Sequence, residues 1–487
     1  VACVTPVRRL AGREVTTLEG LDADLRDRWA AALLDTGGSQ CGFCTPGIVM
    51  RLAADSAGRR SAVEGSDRAR RALGAHLCRC TGWQTVVEAA ASLERDDAPT
   101  APVAGRDLAA ASARASLEGG AVQRVGTATV LGEGGFADDT CPPDALVAVP
   151  DGEGGYAVGE TLTEARRAGG QIQGRNIPAA LHHPLSVPPG AWELTLQTTW
   201  VEPAYLETDA SWCVPGGEPA PPCANGGAFG GKRRTPVTGV ARRLADELGR
   251  PVRVRWSRED VVRLGPKRPP VAAGIDADGH GVLRVGVDLG VVDPDDWEAV
   301  VAQVATVSPG LLVEPVAVDG PPVSLDLRAA VWAEAAVLAA AARRLEGSGR
   351  PTGAGPVEVD LVTPAGARAA VCWQPPGDAI DVEVEAGSPL DEIVLRSYCI
   401  GAVHQALGWV LSEGVAVDDQ GVVRDLTIRS FGILPARAVP EVTVRVRASD
   451  APPVNGSDAV FAATAAACWI GRGLVPTWPI ERGGAGR

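Results

Sequence analysis

Four cysteines within forty residues constrain this chain more than any other feature: Cys41-x2-Cys44 and, after thirty-three residues, Cys78-x-Cys80. Four thiolates suit either a tetrahedral zinc ion or an iron–sulfur cluster, so their number does not decide the metal. The short C-x-C arm favours iron–sulfur, because zinc knuckles more often pair two C-x2–4-C hooks. A thioredoxin-like redox pair would need a βαβ context that the flanking text lacks. Local signals point the same way. Cys44 directly precedes a helix start at Thr45-Pro46, and Cys80 directly precedes one at Thr81. Both thiolates would then sit at positive ends of helix dipoles, near free N–H groups that steady a negatively charged cluster.

Around these cysteines the periodicity predicts four short helices and a compact helical domain over 21–94. Asp22 caps the first, which places Leu25, Trp29, Ala32 and Leu33 on one face and stops at Gly37-Gly38. The second runs from Thr45-Pro46 through Ile48, Val49 and Leu52, and the third covers 66–76. The fourth starts at Thr81 with Gln84 in capping-box spacing and buries Val86, Val87, Ala90 and Leu93. Residues 95–120, rich in Asp, Pro, Ala, Ser and Gly, read as a linker. The remainder reads as α+β, with strands near 192–201 and 252–256 and helices near 237–248 and 327–345. The Gly/Pro-rich stretch 346–356 divides it into lobes 121–345 and 357–487. No repeat of fixed period is visible.

Composition excludes several classes. At 487 residues the chain exceeds one ordinary core, so two or three domains are expected. The apolar fraction is 45%, yet no apolar run approaches the ~20 residues of a membrane span. A net charge of −14 without a Lys/Arg stripe argues against nucleic acid. The opening VACVTPVRRLAGREV lacks the apolar segment of a secretory signal, which points to a reducing, cytoplasmic setting for the eleven cysteines. Cys141, Cys213, Cys223, Cys372, Cys399 and Cys468 read as core or loop thiols. His182, His183 and His404 have no partners at metal-ligand spacing and read as loop or core residues.

The stretches GSQCGFCTPGIVM (38–50) and HLCRCTGWQTVVEAA (76–90) closely resemble the helical [2Fe–2S] domain of the molybdenum hydroxylases, the xanthine oxidase and aldehyde oxidase family. The resemblance implies that Cys41, Cys44, Cys78 and Cys80 ligate a [2Fe–2S] cluster lying between a ferredoxin-like domain, an FAD module and a molybdopterin portion. Residues 1–20 resemble the end of that ferredoxin-like domain, with Cys3 as a ligand whose three companions would lie upstream. Cys3 alone holds no cluster.

Further on, Asn225-Gly226-Gly227-Ala228-Phe229-Gly230-Gly231-Lys232 forms a loop whose glycines let backbone N–H groups approach an anion. A phosphate-binding loop is excluded, because Arg233 stands where the magnesium-binding Ser/Thr belongs and no apolar strand precedes. The loop is similar to the family's glycine segment beside the molybdenum cofactor. That likeness implies cofactor contacts from Gly226, Gly227, Ala228, Phe229, Gly230, Gly231 and Lys232, and from Gln405 in YCIGAVHQALGWVLSEG (398–414). Residues 122–150, 200–212 with Glu202-Pro203, 254–261 and 474–483 resemble family segments in the same order. Two expected pieces are missing. No arginine–glycine segment is identifiable between the glycine loop and the final helices. Where the family carries a catalytic glutamate, residues 452–457 offer no carboxylate, and Asp450 and Asp458 are only neighbours. The catalytic base is unassigned.

The resemblance implies an oxidoreductase of the xanthine dehydrogenase type. It would hydroxylate a small heterocycle or aldehyde at molybdenum and pass electrons through [2Fe–2S] to FAD on a partner subunit. The alternative is a catalytically decayed electron-transfer or scaffold subunit serving an intact molybdenum subunit. A zinc-stabilised binding protein is the third class.

Overall fold

Asp22 accepts the Leu25 N–H at 3.0 Å to start α1 (Ala23–Thr36), and left-handed Gly37 ends it. Helix α2 (Thr45–Ala57) begins directly after Cys44, and α3 (Gly65–Ala72) continues into a 3-10 turn over Leu73–Ala75. The fourth helix, α4, spans Gln84–Arg95 and therefore starts later than Thr81. Gly82 and Trp83 both adopt left-handed backbone, φ 62° and 71°, which a helix cannot pass through. Instead of closing a capping box, the Gln84 amide exchanges two 2.8 Å hydrogen bonds with the Val442 backbone. Cys80 thus stands in a turn ahead of α4, not at its N-terminus. Trp29, Leu33, Ile48, Leu73, Trp83 and Val86 form the bundle core, which Leu18 helps to fill.

The computed structural model describes residues 6–57, 65–95, 105–170, 180–222, 227–348, 355–374 and 379–481. Cys3 and residues 96–104 lie outside these. The described part of 1–20 carries one 3-10 turn, Val7–Arg9. The second half of the expected linker is helix α5 (Leu108–Gly119). Asp107 caps it by accepting the Ala109 and Ala110 N–H groups at 2.9 and 3.0 Å, and its alanines favour helix. Its buried face consists of Ala111, Arg114, Ala115 and Glu118. A single turn, α6 (Thr127–Val130), follows.

Three four-stranded sheets make up the rest. The first has order β2-β1-β5-β4, from Leu146–Pro150 (β1), Tyr156–Gly159 (β2), Ala210–Cys213 (β4) and Val252–Arg255 (β5). Helices α7 (Leu162–Gly169) and α8 (Val237–Leu248) pack on it, and α9 (Arg258–Leu264) follows. The second has order β3-β6-β7-β8, from Leu194–Gln197 (β3), Val271–Ile275 (β6), Gly281–Val287 (β7) and Leu311–Ala317 (β8). The third has order β12-β11-β10-β9, from Val357–Val362 (β9), Arg368–Gln374 (β10), Ala379–Glu385 (β11) and Val442–Arg447 (β12).

The second and third sheets repeat one plan. In each, three antiparallel strands are followed by a helical crossover to a fourth, parallel strand, and then by a second helix. The crossovers contain α10 (Pro294–Val307) and α12 (Glu392–Leu411), and the closing helices are α11 (Trp332–Ser348) and α13 (Ser457–Gly471). Both copies share a single core: α13 packs on α11, α12, β9 and β10. Residues 346–356 therefore do not separate two cores, because the inner faces of both sheets need the same helices to cover them. Helix α12 has no single apolar stripe and is almost wholly buried from Val394 to Leu411, and its buried polar side chains Ser397, His404 and Gln405 are hydrogen-bonded. Among the described residues no helix is long and apolar enough to cross a membrane.

Candidate functional site

The two cysteine arms lie between α1 and α2 and between the 3-10 turn and α4, and they meet as two pairs. The Cys80 thiol donates to Cys41 Sγ at 3.6 Å, and Cys44 is hydrogen-bonded to Cys78. Among the described residues, no three of His, Cys, Asp and Glu surround one point that would hold a single ion. Two adjacent thiol pairs are the donor set of a two-iron cluster, in which each iron takes two thiolates, and the residues present fit that group. The Cys44 hydrogen bond brings Cys78 down to about 6 against the effect of burial, and Thr81 Oγ1 at 3.2 Å assists. Cys44 and Cys80 are pushed well above the ordinary thiol range, first by the hydrogen bonds to Cys78 and Cys41 and then by burial. Those two thiols keep their protons until a metal displaces them.

Gly227 covers the Cys41–Cys80 pair. A Cβ there would stand 2.6 Å from Cys80 Sγ and 3.4 Å from Cys41 Sγ, and its φ of 64° is itself a glycine conformation. The glycine loop is thus pressed against the cysteines. At Gly230 a Cβ would lie 1.9 Å from the Asp326 carbonyl, so this glycine admits a neighbouring backbone and not an anion. Gly231 packs against the side chains of Tyr205 and Leu327. Lys232, expected at the cofactor, is buried in an ion pair with Glu207 and reaches the Thr208 and Pro222 carbonyls at 3.4 and 3.3 Å. Burial pushes Glu207 up to about 7 despite the opposing pull of Lys232. Lys232 therefore anchors the loop. Gly226, Asn225 and Cys223 lie outside the described residues.

Ala228 and Phe229 face a small inner cavity of about 40 Å³ that also touches Arg79, between Cys78 and Cys80. Three guanidiniums look into it. Arg79 is paired with Glu413, Arg268 with Glu334 at 2.8 Å, and Arg328 with Asp458 at 2.8 Å. Arg268 lies over the Trp409 ring at 4.2 Å, and Arg328 lies over Phe229 at 4.4 Å. Trp409 lines this cavity, and its buried Nε1–H has no hydrogen-bond acceptor among the described residues. A cationic, aromatic-walled cavity of this size admits a small group rich in acceptor atoms, the end of a larger ligand and not the whole of one. Gln405 holds the wall together: its amide donates to the Arg79 carbonyl at 2.9 Å and accepts from Arg328 at 3.1 Å. Glu202 contributes a carboxylate. Burial raises it, but Lys267 and Arg258 outweigh that and hold it below its ordinary value.

Phe229, Leu327 and Arg328 also form one wall of an outer cavity of about 400 Å³. Sequence reasoning missed Arg328. Ala329 and Val331 just after it adopt φ 54° and 74°, conformations where glycine is usual, so an arginine–glycine signal is absent from the letters. It missed Glu118 as well. From α5, Glu118 reaches the start of α13 and accepts from Gly456 N at 3.0 Å, Ser457 N at 2.8 Å and Arg114 at 2.9 Å. A carboxylate therefore does reach 452–457, but it comes from the segment read as linker and it caps a helix.

The other candidates lie apart from both cavities. Asp450 and His182 are exposed, His183 bonds the Trp478 carbonyl at 2.9 Å, and Cys213 bonds neighbouring carbonyls. His404 is buried against the Leu434 carbonyl, and burial lowers it from 6.5 to about 4. A base whose folded pKa is depressed contributes stability that is present above its unfolded pKa and lost as pH falls through the folded value. The fold should thus lose up to about 3 kcal/mol between pH 6.5 and 4 on this account. In thermal melts, His404→Gln should flatten that acid limb; equal slopes in both proteins would refute the assignment.

Residues 17–91 match the [2Fe–2S] binding domain family. Over 96 residues the chain is 36% identical to a probable xanthine dehydrogenase subunit of Bacillus subtilis, covering 20% of this chain and 54% of that one. Over 94 residues it is 40% identical to aldehyde oxidase 1 of Oryctolagus cuniculus, covering 18% of this chain and 7% of that one. The match thus spans about half of the first relative and a small part of the second. The aldehyde oxidoreductase from Desulfovibrio gigas shares the fold, with TM-score 0.67 and 13% identity over 99% of this chain and 93% of that one. The enzyme from Desulfovibrio desulfuricans does so at TM-score 0.62 and 14% identity over 96% and 90%. Residues 17–91 therefore belong to the [2Fe–2S] binding domain family, similar in sequence to the corresponding part of xanthine dehydrogenases and aldehyde oxidases, and the chain as a whole has the fold of the two aldehyde oxidoreductases.

Proposed function

We propose that the chain is the electron-transferring part of a molybdenum-hydroxylase-type oxidoreductase. In this reading Cys41, Cys44, Cys78 and Cys80 hold a [2Fe–2S] cluster, and the inner and outer cavities, which adjoin at Phe229, Leu327 and Arg328, together take a molybdopterin-type cofactor. The cluster domain is 21–94, and the part from α5 onward is the cofactor lobe. The carrying observation is that cysteines and cavity share walls. Arg79, between two of the cysteines, lines the cavity, and Gly227 touches the Cys41–Cys80 pair directly before Ala228 and Phe229, which face the cavity.

When bound, such a cofactor supplies the two-electron oxidation of a small heterocycle or aldehyde. The protein's part is to orient and to insulate. Arg268 and Arg328 supply positive charge and the Trp409 N–H an uncommitted donor, while Phe229, Trp409 and Phe461 keep water out. Small substrates would enter through the outer cavity and meet the Phe229–Arg328 partition. Electrons leave through the cysteine arms toward FAD on a partner subunit.

One observation favours a second reading, in which the lobe performs no chemistry and the chain serves an intact molybdenum subunit. Asp458, Glu118, Glu202, Glu334 and Glu413 are each held by at least one cation, and such a carboxylate is a weak general base. Metal analysis of anaerobically purified protein separates the readings. Iron near about two per chain with molybdenum near about one supports the first, and iron without molybdenum the second. Zinc with no visible absorbance overturns both.

A further inference from the structure

We propose that Arg79 and Glu413 each bias the reduction potential of the iron–sulfur cluster, in opposite directions, and that their ion pair holds it in place by mutual cancellation. The inference rests on the cluster reading above and concerns residues that touch no substrate. Arg79 is the middle residue of Cys78-Arg79-Cys80, and its side chain is 8% exposed. The guanidinium donates to both Glu413 oxygens, at 2.5 and 2.7 Å, and its Nε donates to the Pro203 carbonyl at 3.0 Å. Glu413 lies just beyond α12, is 2% exposed, and packs on the helix backbone so closely that a Cβ on Gly408 would stand 2.1 Å from its Oε1. Gln405 Nε2 fixes the Arg79 carbonyl at 2.9 Å.

The pair is therefore rigid and out of water, where a charge acts at long range because little solvent screens it. Reducing the cluster adds one negative charge. A neighbouring cation favours that step and a neighbouring anion opposes it, so a compensated pair leaves the potential near what the cysteines alone impose. Removing one partner exposes the field of the other. Glu413→Gln should raise the midpoint potential, and Arg79→Gln should lower it. Each should change the reduced-to-oxidised ratio at fixed potential about tenfold, which for one electron is about 59 mV. The double variant, neutral at both positions, should return toward wild type. A purely structural role moves the two single variants in the same direction.

The test is a potentiometric titration of the full chain followed by the paramagnetic signal of the reduced cluster, with iron content measured in each sample. Opposite shifts in the single variants and recovery in the double support the proposal. Unmoved potentials, or shifts of one sign, overturn it. If a single variant loses iron, the double variant decides: retention there shows that the uncompensated charge disrupts the site, and loss there assigns the pair to folding and overturns the proposal. A wild-type chain without reducible iron overturns the cluster reading itself, a failure evident before any variant is compared.

Discussion

Replacing Cys78 with serine is expected to remove the visible absorption of the cluster and bring iron from about two per chain to near zero. Cys78 is buried, is paired with Cys44 and takes a further hydrogen bond at Thr81, so it sits at the centre of the second thiol pair. Serine keeps the size but has no accessible anion. The loss should extend to the bundle. Its helices have 14, 13, 8 and 12 residues, lengths that are marginal in isolation, so a metal joining two of their connections adds stability directly. Cys213→Ser is the control, since Cys213 ends β4 in another core and should leave iron unchanged. An unaltered spectrum in the Cys78 variant would refute the ligand assignment.

The second large effect concerns a residue without a redox role. Glu118→Ala should cost about 3–5 kcal/mol, the usual result of stripping one partner from a buried ion pair. Glu118 and Arg114 are both 0% exposed, and the substitution leaves a buried guanidinium and two α13 N–H groups without their acceptor. Arg114 still has the carbonyls of Pro389, Ser388 and Val454, so the variant should fold but melt several degrees lower. Glu247→Ala, in the exposed Arg243–Glu247 pair, should cost no more than about 0.5 kcal/mol. If the two variants melt together, the buried pair carries no special weight.

What the sequence made legible was local chemistry. Asp22 and Gly37 bound α1 as expected, and helix 237–248 is bounded as read because its amphipathic stripe ends at left-handed Gly249. Other features depend on partners far along the chain. Helix α5 turns charged residues inward, so no apolar period marks it. Gln84 spends both ends of its amide on Val442, over 350 residues away, and closes no capping box. Lys232 follows a glycine loop yet finds Glu207 in the core, a choice set by packing. The repeat escaped notice because β4, α8, β5 and α9 interrupt its first copy between β3 and β6, and no fixed period survives such an insertion.

The single core shared by the two repeats also has a consequence in time. During synthesis the first copy is complete at Ser348, but the helix that closes the common interior ends only at Gly471. At 5–20 residues per second, roughly 6–25 s pass between the two. Through that interval α11 and the inner face of β3-β6-β7-β8 have left the ribosome without their covering, and a nascent chain of this design depends on something else to shield them.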